Sequence, residues 1–415
     1  MESSTELHFR PPGDGELARL GARSALAFPG PLDGPARGAR YEALARIQPG
    51  EWFVVERGGQ PVGQYRTLFF DAWFGGRPTA AVGLASVAVE PTARRTGVAA
   101  AIVRHHLRRA VERGARWSLL YPFAASYYRH FGWGPIAGRL RHRLRPGELP
   151  LSPLRHKVRL LDLDDPATLA ALGAWYQRCC EKQNGSLSRP VAAVAYQHRG
   201  HLRYAVGIEG PTGMDGYLLA ELRGDDPRPQ TLVVEELSAV DATAERALLG
   251  FLAAQADQVD WVELDRPLDD GFALLLSRHA APREGREMPA EHHPAATLYG
   301  GAMARLVDLD RALTDRGYRD DGVLGLALHD GELGANRGPR TLVVDHGHAE
   351  VRSLIAPETP LIRGSIAAFA QVASGALPLS AVVAAGHLEL EGSPAALAKA
   401  TALLALPAPY PVPIF

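Results

Sequence analysis

The chain contains two similar eight-residue segments, AVEPTARR at residues 88–95 and AVDATAER at residues 239–246. Each follows a short apolar run, at residues 81–89 and 231–237, of the kind that predicts a buried strand. Each precedes apolar residues at helical spacing, which predicts a helix after the turn. Because the same order of elements recurs, we predict a duplicated fold unit.

The first of these turns carries two arginines and a glycine, Arg94, Arg95 and Gly97, immediately before the predicted helix. The first turn of a helix has backbone N–H groups without partners and the positive end of the helix dipole, so it can hold an anion. Gly97 allows the backbone to approach a ligand closely, and the arginines add positive charge. The segment predicts a phosphate-binding turn; the alternative is an ordinary turn with solvated arginines.

The second turn differs at positions that matter for binding an anion. In the sequence match, Glu245 takes the place of Arg94, and Leu248 takes the place of Gly97. A carboxylate repels a phosphate, and a leucine side chain blocks close approach of the backbone. We therefore expect the second unit to have lost its cofactor site.

The composition is that of a globular protein long enough for two or three domains, with 415 residues, 46% hydrophobic and 22% charged. The formal net charge of -1 gives no reason to expect a nucleic-acid or membrane partner. Cys179 and Cys180 are adjacent and cannot build a disulfide framework. Since the amino terminus also lacks the pattern of a secretion signal, we predict a cytoplasmic protein.

One segment, residues 365–386, is uncharged and long enough to span a bilayer. It contains Gln371, Ser374, Gly375 and Pro378, which interrupt the apolar run. We therefore predict two short helices around a Ser-Gly turn rather than a membrane span.

Two segments rich in proline, glycine or charge, at residues 144–156 and 277–301, have the composition of connections between domains. We predict three domains, over residues 1–150, 151–290 and 291–415. The third begins with a predicted helix, MARLVDLDRALTDRGY at residues 303–318. Its order of elements resembles neither of the first two.

The segment RRTGVA at residues 94–99 fits the Gln/Arg-x-x-Gly-x-Gly/Ala signature of the GCN5-related N-acetyltransferases (GNAT). With LYPFAASYYRHFGWG at residues 120–134 and the terminal phenylalanine, the chain resembles the Eis (enhanced intracellular survival) family over nearly its whole length. The segment ASGALPLSAVVAAGHLELEG at residues 373–392 resembles a sterol carrier protein-like domain. The resemblance implies an α+β fold class: two tandem GNAT-type folds, the second degenerate, and a sterol carrier protein-like domain.

The resemblance also implies acetyl-CoA as a co-substrate, with no metal. In such enzymes the strand before the signature pairs with the pantetheine arm, so Val87 and Val89 are implied to line the pantetheine path. Backbone amides of the following loop hold the diphosphate. On this sequence the residues implied to bind it are Arg94, Arg95, Gly97, Val98 and Ala99.

Two residues are implied to handle protons. Tyr128 aligns with the family's general acid, and Tyr127 is a near competitor; the alternative is that both tyrosines only pack. A phenol of pKa near ~10 can protonate a thiolate of pKa near ~8.5, because the environment can close such a gap. The family's base is the α-carboxylate of the last residue, here Phe415, which is implied to complete the active site of the first domain. With an ordinary pKa near ~3.5, it must be desolvated or must mainly orient the amine.

The implied function is direct acetyl transfer, in a ternary complex, to the primary amine of a small molecule (aminoglycoside or polyamine-like) or to a lysine side chain. Known aminoglycoside-modifying members carry an acid just before the terminal phenylalanine, where this chain has Ile414. This difference argues against a multiply charged aminoglycoside. The resemblance further implies a homo-oligomer, possibly a hexamer. The alternative function is a non-catalytic CoA- or lipid-binding carrier or sensor.

A histidine-containing segment, DHGHAE at residues 345–350, would place His346, His348 and Glu350 on one face of a strand. Such a face could hold a metal ion, but it is more often solvated. We therefore predict a solvated face.

Overall fold

A computed structural model of the protein describes residues 6–28, 34–198, 202–211, 213–224, 229–268, 270–276, 296–355 and 359–410. The chain divides into two compact units. The first unit comprises residues 1–137, 180–189 and 301–415, and the second comprises residues 138–179 and 190–300. These units are spatial groupings, and the domain limits 1–150, 151–290 and 291–415 stay predictions.

The amino-terminal part of the first unit consists of short helices and long strands. In chain order these are β1 (Leu7–Arg10), α1 (Glu16–Ser24), α2 (Gly34–Ile47), β2 (Gly50–Arg57), β3 (Gln60–Phe74), β4 (Arg77–Val89), α3 (Val98–Glu112), β5 (Trp117–Leu120), α4 (Ala125–Arg129) and β6 (Gly134–Pro135). Among them, β4 and α3 are the strand and the helix that the sequence predicts on either side of the arginine-glycine turn. The sequence does not predict α2, in which only three residues, Gly38, Tyr41 and Leu44, are buried.

The second unit repeats this pattern of antiparallel strands with a helix between two parallel strands. Its elements, of which α5 continues into the first unit, are β7 (Gly138–Leu144), β8 (Val158–Leu160), α5 (Pro166–Lys182), α6 (Val191–His198), β9 (Leu202–Gly210), β10 (Gly213–Gly224), β11 (Gln230–Ala239), α7 (Ala242–Ala253), β12 (Trp261–Arg266) and β13 (Thr297–Gly300). They form a seven-stranded sheet in the order β13-β7-β12-β11-β10-β9-β8.

The carboxy-terminal part of the first unit forms a smaller sheet with helices. Its elements are β14 (Met303–Leu306), α8 (Leu309–Asp315), β15 (Gly322–His329), β16 (Gly338–Asp345), β17 (His348–Arg352), β18 (Leu361–Ser365), α9 (Ile366–Ala373), α10 (Leu379–Ala384), β19 (Leu388–Glu391) and α11 (Pro394–Leu404). Five of the strands pair in the order β17-β16-β15-β18-β19. These mixed sheets with helices confirm the predicted α+β class.

β14 belongs to the sheet of the amino-terminal part, whose order is β1-β2-β3-β4-β5-β14-β6. The prediction of one helix over residues 303–318 is therefore wrong at its start. All four residues of β14 are buried, so this run lacks the solvated face of an amphipathic helix, and the edge of β5 supplies its hydrogen-bond partners. The helix begins only at Leu309, where Asp308 accepts a hydrogen bond of 3.0 Å from the amide of Arg311.

The amino- and carboxy-terminal parts of the first unit share one hydrophobic core. Phe74 and Trp117 of the first sheet lie in the same buried cluster as Leu324 of β15, Ile362 of β18 and Phe369 of α9. The third domain is thus built onto the first sheet. This packing, together with β14, makes the two parts one structural body.

The predicted pair of short helices in residues 365–386 is confirmed. α9 ends at Ala373, and α10 begins at Leu379, with Ser374 and Gly375 between them. Gly375 has a φ of 85°, which glycine adopts without strain. Among the described residues, no helix has both the length and the apolarity needed to cross a membrane.

Candidate functional site

Strands β4 and β5 separate inside the first sheet. They pair in parallel only at Ala81, Val82 and Gly83, opposite Trp117, Ser118 and Leu119. Beyond Gly83, β4 continues to Val89 with β3 on one side, while β5 ends at Leu120. The far part of β4 therefore presents one backbone edge that β5 does not cover.

A β-bulge shapes this uncovered part of β4. Gln64 pairs with Ala88 and Arg66 pairs with Ala85, so two residues of β4 lie opposite one residue of β3. Ser86, in the bulge, has a φ of 51°. Because the bulge adds one residue, Val87 and Val89 pack into the same hydrophobic cluster as Leu84.

The loop after β4 leads into α3 with a strained backbone. It contains a 3₁₀ turn at Pro91–Ala93, and then Arg95 and Gly97 adopt φ values of 61° and 86°. Helix α3 begins at Val98, so the amides of Val98 and Ala99 lie in its first turn, where no intrahelical partner exists. In the described part of the chain, no side chain caps this helix start. Its amides can therefore serve a ligand.

Three arginines surround the loop. Arg94 and Arg95 are exposed, and Nη2 of Arg94 donates to the carbonyl of Leu26 at 3.3 Å. Arg57, on β2, donates from Nη2 to Thr96 at 3.3 Å (carbonyl) and 3.1 Å (Oγ1). The sequence does not single out Arg57, because it lies 39 positions before the residue that it contacts. The loop thus carries more positive charge than its own sequence supplies.

An aromatic cluster lies beside this loop. Tyr128 is buried, with 4% of its surface exposed, and belongs to the cluster that contains Val87, Val89 and Val98. Burial, followed by the neighbouring Tyr127, raises the pKa of Tyr128 well above its ordinary value, so the phenol is protonated at neutral pH. Four of the predicted site residues, Val87, Val89, Val98 and Tyr128, therefore meet in one cluster. It lies next to the loop that carries Arg94, Arg95 and Gly97 and to Ala99 in the first turn of α3.

Tyr127 differs from Tyr128 in its surroundings. It is partly exposed, but its hydroxyl is buried without a hydrogen-bond partner among the described residues. Burial raises its pKa, and the nearby Arg104 opposes that rise. The two rings contact each other edge to face with centroids 5.3 Å apart. Position alone does not decide between the two tyrosines, and Tyr128 as the acid stays a prediction.

The carboxy-terminal segment is anchored by residues 183–185, which belong to the first unit. Asn184 donates from Nδ2 to the carbonyls of Pro407 at 2.6 Å and Ser374 at 2.8 Å. The amide of Tyr410 donates to the carbonyl of Asn184 at 3.0 Å, and Gln183 donates to the carbonyl of Tyr410 at 3.0 Å. Sequence reasoning missed this anchor, because no local pattern marks it. Phe415 and Ile414 lie outside the described residues.

The anchor also joins the first sheet. The amide of Gly185 donates to the carbonyl of Trp73 at 2.7 Å, and the amide of Trp73 donates to Ser186 at 2.9 Å. Gly75 donates from its amide to Oδ1 of Asn184 at 3.1 Å. Through this segment the carboxy-terminal chain is fixed to the end of β3.

The corresponding connection in the second unit is closed. β11 ends at Ala239 and α7 begins at Ala242, whose helix start is capped by Asp241. The Asp241 side chain accepts hydrogen bonds from the amides of Thr243 and Ala244, both at 2.8 Å. This carboxylate occupies the amides that an anionic ligand would need, which agrees with the expected loss of the cofactor site.

The structure corrects the reason that the sequence match gave for this loss. In that match Leu248 replaces Gly97, but Leu248 lies inside α7 and is fully buried in the core of the second unit. The carboxylate of Glu245, expected to repel a phosphate, instead forms an ion pair with Arg266 at 2.6 Å. The short connection and the Asp241 cap, rather than these two replacements, leave the first amides of α7 without freedom to bind an anion.

The histidine-containing segment at residues 345–350 forms a hairpin. His346 lies in its turn with a φ of 50°, and not on the strand with His348 and Glu350 as predicted. Within the described residues, one group has ligand atoms close enough for a metal ion, Asp321, Asp345 and His346, and all three are exposed. Exposed groups of this kind commonly bind no ion.

Models of protein families match three consecutive regions of the chain. The acetyltransferase (GNAT) domain matches residues 9–136 and, in a second model, residues 175–305. The sterol carrier protein domain matches residues 309–411. These matches confirm two tandem GNAT domains followed by a sterol carrier protein-like domain. No curated protein matches the sequence.

Solved structures of the same architecture cover nearly the whole chain. A GCN5-related N-acetyltransferase from Anabaena variabilis has a TM-score of 0.82 at 21% identity, over 99% of this chain and 100% of that one. One from Kribbella flavida has a TM-score of 0.79 at 24% identity, over 99% and 98%. Eis1 from Mycobacterium abscessus has a TM-score of 0.76 at 23% identity, over 99% and 100%. The shared fold agrees with the resemblance that the sequence motifs indicate.

Proposed function

Because this chain carries two GNAT acetyltransferase domains, we propose that its first domain transfers the acetyl group of acetyl-CoA directly to a primary amine. The acceptor would be a small molecule, aminoglycoside or polyamine-like, or a lysine side chain. The observation that carries the proposal is the meeting of the uncovered edge of β4, the uncapped start of α3 and the buried Tyr128 in one place. The second domain, with its capped helix start, would be catalytically silent.

The loop before α3 fits the diphosphate of acetyl-CoA. Gly97 has open space around the position that a side chain would occupy, and its φ of 86° directs the chain into the helix. The amides of Val98 and Ala99 would donate to the diphosphate, and Arg94 and Arg95 would neutralise its charge. Arg57 would support the loop through Thr96.

The uncovered edge of β4 fits the pantetheine arm. An unpaired strand edge offers backbone N–H and C=O groups at regular spacing, and the amide groups of an extended chain can pair with them. The side chains of Val87 and Val89 pack into the cluster that contains Tyr128. An arm on this edge would therefore lead toward the phenol.

Acetyl-CoA, when bound, supplies a thioester whose carbonyl carbon accepts the amine and whose sulfur leaves as a thiolate. Tyr128 would donate the phenol proton to that sulfur. Burial raises the pKa of Tyr128, which keeps the proton on the phenol but makes it a weaker acid. The same apolar surroundings disfavour the thiolate, so both pKa values would rise together and the transfer would stay feasible.

The α-carboxylate of Phe415 is proposed to accept the proton of the attacking amine or to orient that amine. The anchored Tyr410 is followed by five residues, which can span at most about 17 Å. Along β3, the five residue steps from Trp73, next to the anchor, to Leu68 cover roughly the same length. Leu68 pairs with Gly83, the last residue of β4 that pairs with β5. The length of the segment therefore supports a role in the site.

The test is amine-dependent release of free thiol from acetyl-CoA, measured with diamines, polyamines, lysine-containing peptides and aminoglycosides. Tyr128→Phe should lower kcat by about 100-fold or more, as removal of a general acid does. Deletion of Phe415 should lower it at least about tenfold, which is less than the usual effect of a general base, because a group that mainly orients the amine contributes less. Tyr127→Phe is the matched control, because it removes the same kind of hydroxyl group from the neighbouring residue. It should retain kcat within about twofold, since the proposal assigns no proton transfer to Tyr127.

Retention of normal turnover by Tyr128→Phe would remove Tyr128 from the mechanism, and a loss in Tyr127→Phe would move the role there. Binding of acetyl-CoA without release by any amine would favour the carrier or sensor hypothesis. A homo-oligomer, possibly a hexamer, stays a prediction from the resemblance. Sedimentation velocity at micromolar concentration tests it, and a monomer would contradict it.

A further inference from the structure

We infer that Arg305, with its partner Asp330 in the third domain, is a positioning residue for Tyr128. The inference rests on the proposed role of Tyr128 as the general acid. Arg305 lies on β14, the strand that the first sheet takes from the carboxy-terminal part of the chain. Neither the sequence signature nor the resemblance draws attention to it.

Arg305 and Asp330 form an ion pair that is completely buried. Both side chains are 0% exposed, and Nη2 of Arg305 lies 2.8 Å and 2.9 Å from the two oxygens of the Asp330 carboxylate. The Nε and Nη1 atoms of Arg305 are buried without a hydrogen-bond partner among the described residues. A guanidinium is costly to hold in such surroundings. Stability alone therefore does not explain why the guanidinium of Arg305 is buried at this position.

The buried guanidinium fills the space beside the turn that follows Tyr128. A Cβ atom placed on Gly132 would overlap Nη1 of Arg305, and the φ of 92° at this position also favours glycine. The guanidinium carbon also lies 5.6 Å from the centroid of the Trp133 ring. Arg305 thus fixes both Gly132 and Trp133.

The turn is tied directly to Tyr128. The carbonyl of Tyr128 accepts hydrogen bonds from the amides of Phe131 at 3.0 Å and Trp133 at 3.3 Å. The rings of Tyr128 and Trp133 contact each other edge to face, with centroids 6.3 Å apart. A shift of the turn would therefore move both the backbone and the ring of Tyr128.

Asp330 holds Arg305 from a loop that contacts the same site. Its Oδ1 accepts hydrogen bonds from the amides of Glu332 and Leu333, both at 3.0 Å. Leu333 packs against the cluster that contains Tyr128, and Glu332 pairs with Arg104 of α3 at 3.0 Å. Residues of the carboxy-terminal part therefore contact the surroundings of Tyr128 in two ways. Arg305 contacts the turn that follows Tyr128, and the loop of Asp330 contacts the hydrophobic cluster and α3.

The test is a double-mutant cycle that joins the ion pair to Tyr128. Replacing both partners, Arg305→Met with Asp330→Asn, avoids leaving one buried charge alone, and Asn keeps the oxygen that accepts the two loop amides. This pair of substitutions should lower kcat by about tenfold or more, with KM for acetyl-CoA within about twofold, because misplacing a catalytic group mainly affects the chemical step. In a protein that already carries Tyr128→Phe, the same pair of substitutions should lower kcat by less than about twofold. The phenol that Arg305 would position is then absent, so its displacement has no further effect.

Gly132→Ala provides a second variant that displaces the same turn without removing a charge, both by strain at a φ of 92° and by contact with the guanidinium, and it should show the same loss and the same dependence on Tyr128. Circular dichroism and thermal unfolding confirm that each variant is folded. Losses that multiply in the Tyr128→Phe background would overturn the inference and indicate a general structural role, as would a normal kcat in both variants. If Tyr128→Phe itself keeps its kcat, the proposed acid fails first, and the inference falls with it.

Discussion

The two GNAT domains connect a strand to the following helix in different ways. In the first, eight residues, 90–97, lie between β4 and α3, and the helix start is uncapped. In the second, only Val240 and Asp241 lie between β11 and α7, and Asp241 caps the helix. An anion-binding turn needs residues to wrap around the ligand and amides that are free to donate. The second domain lacks both, while its strand and helix remain.

The second domain therefore keeps the strand and the helix of the fold without free amides at the start of that helix. The apolar face of α7 packs into the core of the second unit, as α3 packs into the first. A carboxylate cap stabilises a helix by about 1 kcal/mol, so closing the site also favours folding. The corresponding turn of the first domain instead keeps a strained backbone at Arg95, a residue with a side chain at a φ of 61°.

The largest effect on acetyl-CoA affinity should follow from placing a carboxylate at the start of α3, as Asp241 stands at the start of α7. Gly97→Asp would place a carboxylate on the first amides of α3, so it should raise the dissociation constant for acetyl-CoA by about 100-fold through competition and repulsion. Gly97→Asn has nearly the same shape and also tolerates a positive φ, so it should raise that constant by less than about fivefold. Isothermal titration calorimetry measures both.

The reciprocal control is Asp241→Ala in the second domain. Loss of the cap should lower the free energy of unfolding by about 1 kcal/mol and leave acetyl-CoA affinity unchanged. Equal weakening by Gly97→Asp and Gly97→Asn would show that backbone strain, and not anion binding, explains the first result.

A second difference between the helices is their response to acid. His106 of α3 is fully buried between Thr67 and Ser118, at 2.9 Å and 2.8 Å, and burial, followed by the charge on His105, lowers its pKa to about 3. The unfolded chain binds a proton near a pKa of about 6.5 while the folded chain does not, so stability falls as the pH drops below about 6.5. From pH 6.5 to 5.0 this group should cost about 2 kcal/mol, at up to about 1.4 kcal/mol per pH unit.

His106→Gln removes this titration, and α7 carries no histidine at all. Urea unfolding at the two pH values should therefore show a smaller loss of stability in His106→Gln than in the unaltered protein. Parallel losses in the two proteins would mean that His106 is protonated in the folded state.

The smallest effect is expected from single arginines. Arg95→Gln should weaken acetyl-CoA binding by about three- to tenfold at low salt, because an exposed charge contributes modestly and is screened. The weakening should shrink when sodium chloride is added. Arg246 occupies the matching position of AVDATAER and is also exposed, so Arg246→Gln should have no effect. An equal effect of both would point to net charge instead of the loop.

Much of the first domain could be predicted because its signals are local. The buried residues of α3 include Ile102, His106 and Ala110, at the spacing of a helix. The strand before it is largely apolar, and Gly97, just before the helix, takes a positive φ. The weaker signals failed: the short run of β14 has the pattern of the start of a helix, and the apolar residues of α2 are spread around the helix instead of marking one buried face.

The supports of the candidate site could not be predicted from such signals. Arg305 reads as one of many arginines, and Asn184 as a loop residue, until the fold brings them to Gly132 and to the carboxy-terminal segment. The sequence match also aligned Gly97 with Leu248, since a pattern of residue types does not reveal that a connection has been shortened.

The sequence by itself determined the local elements, the order of the three domains and the loop that fits a diphosphate, because hydrophobic spacing and glycine act within a few residues. Tertiary structure decided which strand edge stays uncovered, which helix start is capped and what lies behind Tyr128. These depend on where strands separate and on which distant side chains fill the space that remains. Such contacts join residues that are far apart in the sequence, so the pattern of a short segment does not predict them.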